Sequence, residues 1–456
     1  MKTYRFAIAA AAAAVLHLAA AQDITRLGKD LTPSGAEAGA NKEGSIPRWN
    51  GHESAETGWT YGKSRGDAWK YKGEKPLFSI DATNVDKHAQ KLTPGQIAAI
   101  RQIKGYRMDV YPSHRGCGIP DFVAENTRKN VGVAKLGADG WSLKEAVVPG
   151  YPFTFPANGA EVMWNAKMRY RGLGVDYPKL IFALSPRRGS TEWYRSIVEQ
   201  TVFYPWGAKG SNFLSKLPQV ESYAYFAFVA PAAQAGQAIS VSVFLDQPGN
   251  EVFYYFPGQR RVRRMPSYAY DAPQIGTENQ YTMDEAWLFN GSMDRFDWKI
   301  VGKKEIYIPY NSFGMYDFTA NIEEVAREDS INPANRRYEL HRIWVVEASL
   351  KQGVRHNAPK RSFYFDEDSW NLVMAEDHDA QGRLVKYREG YLIPVYETGT
   401  CDVSALVQYN LGEGRYLFDG HPIGGGKDIR WVVESDGPRF KSGFYTAENL
   451  RAISSR

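Results

Sequence analysis

The sequence is poor in cysteine, in charge of one sign, in long hydrophobic runs and in catalytic signatures. Only Cys117 and Cys401 occur in 456 residues, and neither lies near the N-terminus, which excludes a lipid-anchored start. The formal charge of +5 falls to +3 once Lys2 and Arg5 are removed, too little to point to nucleic acid. Beyond residue 21 no stretch is long and apolar enough to span a bilayer. No G-x-S-x-G and no H-E-x-x-H is present. Gly424-Gly425-Gly426-Lys427 resembles a phosphate loop, but His421 stands where Gly is needed and Asp428 where Ser or Thr is needed. These absences argue against an enzyme and against a cofactor or metal centre.

What is present begins with an export signal. Lys2 and Arg5 precede an apolar run from Phe6 to Ala21 that ends in small residues. The run is shorter than the roughly 20 residues a spanning helix takes, so cleavage after Ala21 and a periplasmic mature chain are expected. In that oxidising compartment two cysteines can pair, and a Cys117–Cys401 disulfide is predicted from compartment and even count. The chain divides into a signal at 1–21, a polar arm rich in Gly, Pro, Ser and Lys at 22–91, and a single β domain at 92–456.

Aromatics are in excess, with 28 Tyr, 22 Phe and 12 Trp. Such residues favour strands and also line apolar pockets. Thr93-Pro94-Gly95-Gln96 caps a helix over about 94–104, Pro120 and Asp121 open a second, and Asn158 to Glu161 open a third. Thr282 with Glu285 predicts a shorter helix over 283–290. From Lys167 onward strands dominate: 192–204, 223–229, 239–246, 252–256, 260–265, 298–308, 338–350, 360–365, 372–378 and 384–394. Short turns between them predict hairpins and an antiparallel sheet. A parallel sheet is disfavoured because no βαβ alternation appears. The fold class is therefore mainly β (α+β).

Polar clusters read as structural. In Asp377-His378-Asp379, neighbouring strand residues face opposite ways and do not converge on a metal. Asp366-Glu367-Asp368 reads as a solvated turn. His114 with Arg115, and His341 with Arg342, suit a polar ligand head but more often serve as hydrogen-bonding structural residues.

Several stretches resemble the outer-membrane lipoprotein carrier (LolA/LolB-like) superfamily, and more closely a large uncharacterised proteobacterial family within it. They are Val252 to Pro266, Tyr111 to Arg115, Asn165 to Gly172, Asp297 to Glu305, Glu339 to Ala348 and Phe363 to Trp370. The resemblance implies a strongly curved antiparallel sheet, a half-open β-barrel with helices plugging its concave face. It also implies a cavity that shields acyl chains, and partnership with an inner-membrane transporter of the resistance-nodulation-division (RND) kind and an outer-membrane protein. The chain is about twice the size of the lipoprotein carriers and lacks the lipidated cysteine of their anchored member.

The expected function is carriage or adaptation of a hydrophobic molecule: a lipid, a sterol-like compound or a hydrocarbon. The candidate lining residues are Trp164, Met168, Phe253, Tyr255, Trp344 and Phe363, with His114 and Arg115 for a polar head. Two alternatives remain open: an interaction component of an envelope transporter without cargo, and an enzyme acting on envelope polysaccharide. An open apolar cleft favours the carrier, whereas a cavity filled by side chains favours the interaction component.

Overall fold

The computed structural model describes residues 24–454 except 55 and 57, so the export signal lies outside the described residues. Among the described residues no helix is long and apolar enough to cross a membrane.

Sixteen strands form one mixed sheet. In chain order they are β1 (Phe78–Ile80), β2 (Met108–Val110), β3 (Gly174–Leu184), β4 (Tyr194–Phe203), β5 (Val220–Ala230), β6 (Ala238–Phe244), β7 (Asn250–Phe256) and β8 (Arg261–Arg264). They continue with β9 (Phe296–Pro309), β10 (Tyr338–Leu350), β11 (Lys360–Asp366), β12 (Leu372–His378), β13 (Leu384–Val395), β14 (Thr400–Asn410), β15 (Arg415–His421) and β16 (Arg430–Val432). The spatial order is β1-β2-β10-β11-β12-β13-β14-β15-β3-β4-β5-β6-β7-β8, with β9 beside β10 and β16 beside β3. Nearly every pairing is antiparallel, as expected from serial hairpins; the exception is one parallel contact, Val110 with Tyr338, where β2 meets β10. The order is open, because β8 at one end does not pair with β9 or β1 at the other.

Local signals explain the helices. In α1 (Pro94–Gln102), the Gln96 N–H donates to Thr93 Oγ1 while the Thr93 N–H donates to Gln96 Oε1, a reciprocal cap. The N-terminus of α2 is Asp121 in Asp121–Asn130. In α3 (Gly159–Lys167) the Asn158 side chain accepts from the Glu161 N–H. The segment after Thr282 departs from expectation. Its capping box forms, but Met283–Leu288 is a 3-10 turn broken at Ala286 and Trp287, and Trp287 and Leu288 have φ of 49° and 69°. Asp284 and Glu285 are drawn down to buried arginines of the sheet while Trp287 turns the other way, and a regular helix cannot serve both.

Helices cover both faces of the sheet rather than the concave one alone. The 283–288 segment and α3 lie on one face, where Arg361 of β11 bonds Asp284 and Phe363 meets Phe289. On the opposite face, the Gly95 N–H of α1 donates to Glu376 of β12. A C-terminal helix, α4 (Ala447–Ser454), packs on β6, β7 and β8 there, with Tyr255 and Leu450 in a shared apolar cluster. Glu389, also on this face, accepts hydroxyls from Tyr106, Tyr338 and Tyr391 and pairs with Arg336 at 3.1 Å.

The 24–77 region has little regular structure and lies against the sheet. Trp370 Nε1 donates to the Ser34 carbonyl, and Arg115 donates to the carbonyls of Glu37, Ala38, Gly39 and Pro47. This covering corrects the solvated turn expected at Asp366-Glu367-Asp368: all three are buried, at 0%, 2% and 4% exposure. Arg115 grips Asp368 through two bonds of 2.6 and 2.9 Å, and Lys303 pairs with Glu367.

Cys117 and Cys401 are joined in a disulfide, both nearly inaccessible, across 284 residues of sequence. A cross-link over so long a loop restricts the unfolded chain strongly. The Cys117→Ser/Cys401→Ser double variant is expected to lose about 2–5 kcal/mol, read from urea unfolding. Unchanged unfolding would show that the bond contributes nothing.

Candidate ligand-binding cleft

Strands β3 to β6 present alternate residues to one face, and there they floor an open cleft. Leu180 and Phe182 come from β3, Val198 from β4, Ala224 and Phe226 from β5, and Val241 from β6. The spacing of two is what a pleated strand dictates. The roof is the 266–290 segment, which supplies Tyr268, Ile275, Met283 and Trp287. The cavity volume is about 110 Å³. A dry cavity of about 150 Å³ admits benzene, so the cleft as it stands takes a short length of hydrocarbon, and a longer chain requires the roof to lift. The left-handed backbone at Trp287 and Leu288 costs roughly 1–3 kcal/mol per residue, strain that sits where the roof meets the floor.

The polar groups at the cleft are few. Tyr194 donates to Gln234 at 2.6 Å. Asp419 accepts from Tyr281 at 3.0 Å, and burial raises its pKa above the usual carboxylate value. Gln200, 5% exposed, has an Nε2 with no hydrogen-bond partner. At one end the cleft adjoins a second, polar pocket that shares Ser222, Trp287 and Asn290 with it. Lys167, Arg169 and Arg171 line that pocket together with Glu221 and Tyr204.

None of the residues expected from sequence to line a cavity is at the cleft. Trp164 and Met168 are buried in the main core, with Trp164 Nε1 donating to the Trp141 carbonyl. Phe363 is buried against Phe289 and Trp298. Trp344 stacks on Trp370 at 5.8 Å with the Lys303 ammonium over its ring. Phe253 and Tyr255 face the opposite side of the sheet, beneath α4. His114 stacks on Tyr71 at 3.6 Å and bonds Glu74 at 2.7 Å, and Arg115 is occupied by Asp368 and the N-terminal region. The cleft is instead lined by aliphatic and small residues together with other aromatics: Phe182, Tyr194, Phe226, Phe228, Tyr268 and Trp287.

One cluster has metal-ligating groups: His341, Asp366 and Asp368 bring one ligand atom each within 4.8 Å of one another. Asp368 is engaged by Arg115 through both oxygens, and His341 Nε2 faces Glu339 at 3.1 Å. The positive charge a cation would supply is already provided by the guanidinium. Asp377, buried between Arg361 and Arg388, and Asp379, in an exposed turn with Arg383, do not converge.

Fold and cleft together define an open-sheet β protein with an apolar recess beneath a strained loop. Residues 79–451 match the family described as protein of unknown function DUF1329, and the chain belongs to that family. It is 37% identical over 419 residues to the uncharacterized protein PA3922 of Pseudomonas aeruginosa, covering 90% of each chain. Among solved structures it is similar to a Vibrio parahaemolyticus domain assigned to outer membrane lipoprotein sorting, at 13% identity and TM-score 0.43, over 64% of this chain and 98% of that one. It is also similar to a DUF1329 family protein from Desulfovibrio piger, at 14% identity and TM-score 0.37, over 60% of this chain and 91% of that one.

Proposed function

We propose that the protein is a non-catalytic periplasmic carrier that shields a hydrophobic molecule in the β3–β6 cleft, whose strands form the wall of a half-open barrel. The observation that carries this reading is the cleft itself: a floor of Leu180, Phe182, Val198, Ala224, Phe226 and Val241 left open under a loop rather than filled by side chains. Such surface gains about 25 cal/mol for each Å² of apolar area removed from water, so an alkyl segment is held without any cofactor. The export signal expected at 1–21 supports a location between two membranes, where shielding a greasy molecule has a use. Capture at one membrane and release at the other would bring it to an RND-type transporter and an outer-membrane protein.

The test is native mass spectrometry of protein purified from the periplasm without detergent, followed by solvent extraction. A bound mass that extracts into organic solvent is the expected result. Protein that arrives empty and, after stripping, takes up neither 1-dodecanol nor dodecanoate would overturn the proposal.

A further inference from the structure

The polar pocket beside the cleft holds an arginine that no carboxylate bonds directly. Arg171 is 7% exposed. Its Nε has no hydrogen-bond partner, and none of its guanidinium nitrogens has a hydrogen bond or ion pair among the described residues. Its guanidinium sits over the Tyr204 ring at 4.3 Å. A charge so buried normally has a partner.

Burial works against its charge, and Tyr204, Asp402 and Glu221 offset that through space; no carboxylate bonds it directly, because each is otherwise engaged. Lys167 pairs with Glu221 at 2.8 Å and donates to the Gly291 carbonyl at 2.9 Å. Arg169 pairs with Asp402 at 3.0 Å and donates to the Ala166 carbonyl. Asp402 also accepts from Trp431. Three cations therefore face two carboxylates. Burial, and then the repulsion of Arg171, push the pKa of Arg169 down. The backbone fixes this arrangement. Gly172 has φ of 74°, and a Cβ there would lie 2.5 Å from the Val432 carbonyl oxygen, so the chain bends sharply just after Arg171. The pocket adjoins the apolar cleft, and Ser222, Trp287 and Asn290 line both.

We infer that the cargo is an anionic amphiphile, whose acidic head group docks on Arg171 in this pocket while its hydrocarbon chain lies in the β3–β6 cleft. The inference rests on the carrier reading and narrows its cargo from any greasy molecule to one with a carboxylate or phosphate end. A planar guanidinium presents paired N–H donors that suit either anion.

Isothermal titration of the stripped, full mature chain with three probes of equal chain length tests it: dodecanoate, dodecyl phosphate and 1-dodecanol. The wild type is expected to bind at least one of the anions roughly tenfold or more tightly than the alcohol, the scale of a charge-assisted hydrogen bond. Tighter binding of the phosphate points to a phosphate-bearing lipid, and tighter binding of the carboxylate to a fatty acid. Arg171→Met should erase the preference while leaving the alcohol's affinity unchanged, and Arg171→Lys should keep part of it. Equal affinity of the wild type for all three probes overturns the anionic cargo while leaving the carrier standing. Failure to bind any of them sinks the carrier reading as well. The wild-type comparison needs no variant, so the test survives if Arg171→Met does not fold.

Discussion

Arg361→Met is expected to lose about 3–5 kcal/mol of folding stability at neutral pH, the usual cost of removing one member of a buried ion cluster. Arg361 is fully buried and donates to Asp284 at 2.6 Å and to Asp377 at 2.9 Å. Asp377 also takes two bonds of 2.7 Å from Arg388, and Asp284 one of 2.8 Å from His356. Without Arg361, two carboxylates stay buried with less compensation, which is why the loss exceeds that of an ordinary surface pair. The pH dependence separates this account from simple loss of packing. The arginines, against the opposing effect of burial, hold Asp284 and Asp377 well below the usual carboxylate range. Their contribution in the wild type is therefore complete above the unfolded aspartate value of about 3.9 and fades as pH falls below it. In the variant both carboxyls move upward and take protons more readily. The deficit against wild type should therefore shrink as pH falls below about 4. A deficit that is constant with pH would mean that the guanidinium acts only as filler.

Ala224→Phe should reduce uptake of 1-dodecanol by about a hundredfold. Ala224 lines the cleft floor, so a ring at that position takes space a ligand would use. Exclusion of about four methylenes at about 0.8 kcal/mol each is worth about 3 kcal/mol, or roughly two decades in affinity. The ring enters open volume, so unfolding should stay within about 1.5 kcal/mol of wild type. Ala227→Phe on the same strand is the control, because Ala227 belongs to the apolar cluster of the opposite face. Titration with the alcohol reads both variants. Undiminished binding to Ala224→Phe would place the ligand elsewhere.

Much of the fold was legible because local chemistry speaks for itself. The Thr93 and Asn158 caps, the hairpin turns and the strands at 338–350 and 372–378 all read directly from residue type. Strands β3, β14 and β15 did not. Every residue of β14 is buried, including Ser404 and Gln408, whose polar groups are satisfied by the Gly420 and Gln280 carbonyls. A strand covered on both faces shows no alternation, and polar residues inside it look like loop. Pro178 further disguises β3. The cleft was hidden for a related reason. Large aromatics were the natural choice for a greasy lining, but they are the residues that pack the core most completely. Those at the cleft, such as Phe182, Phe226 and Trp287, do not differ in type from those in the core, and smaller residues such as Ala224 and Val241 line it with them. The alternation of Val241 and Val243 about Ser242 was visible in the sequence; which side faced a hollow was not. Arg171 lay within the Asn165 to Gly172 stretch, but only three-dimensional neighbours reveal that no carboxylate bonds it directly.

The open strand order has a colloidal consequence. A sheet that does not close exposes two rims, and an exposed rim is a template for another chain. Here one rim is the four-residue β8, which carries Arg261, Arg263 and Arg264, and the other is β9, with Lys299, Lys303 and Lys304. Two copies meeting side by side bring like charges together along the length of contact. Zippering into fibres is thereby discouraged, even at high protein concentration.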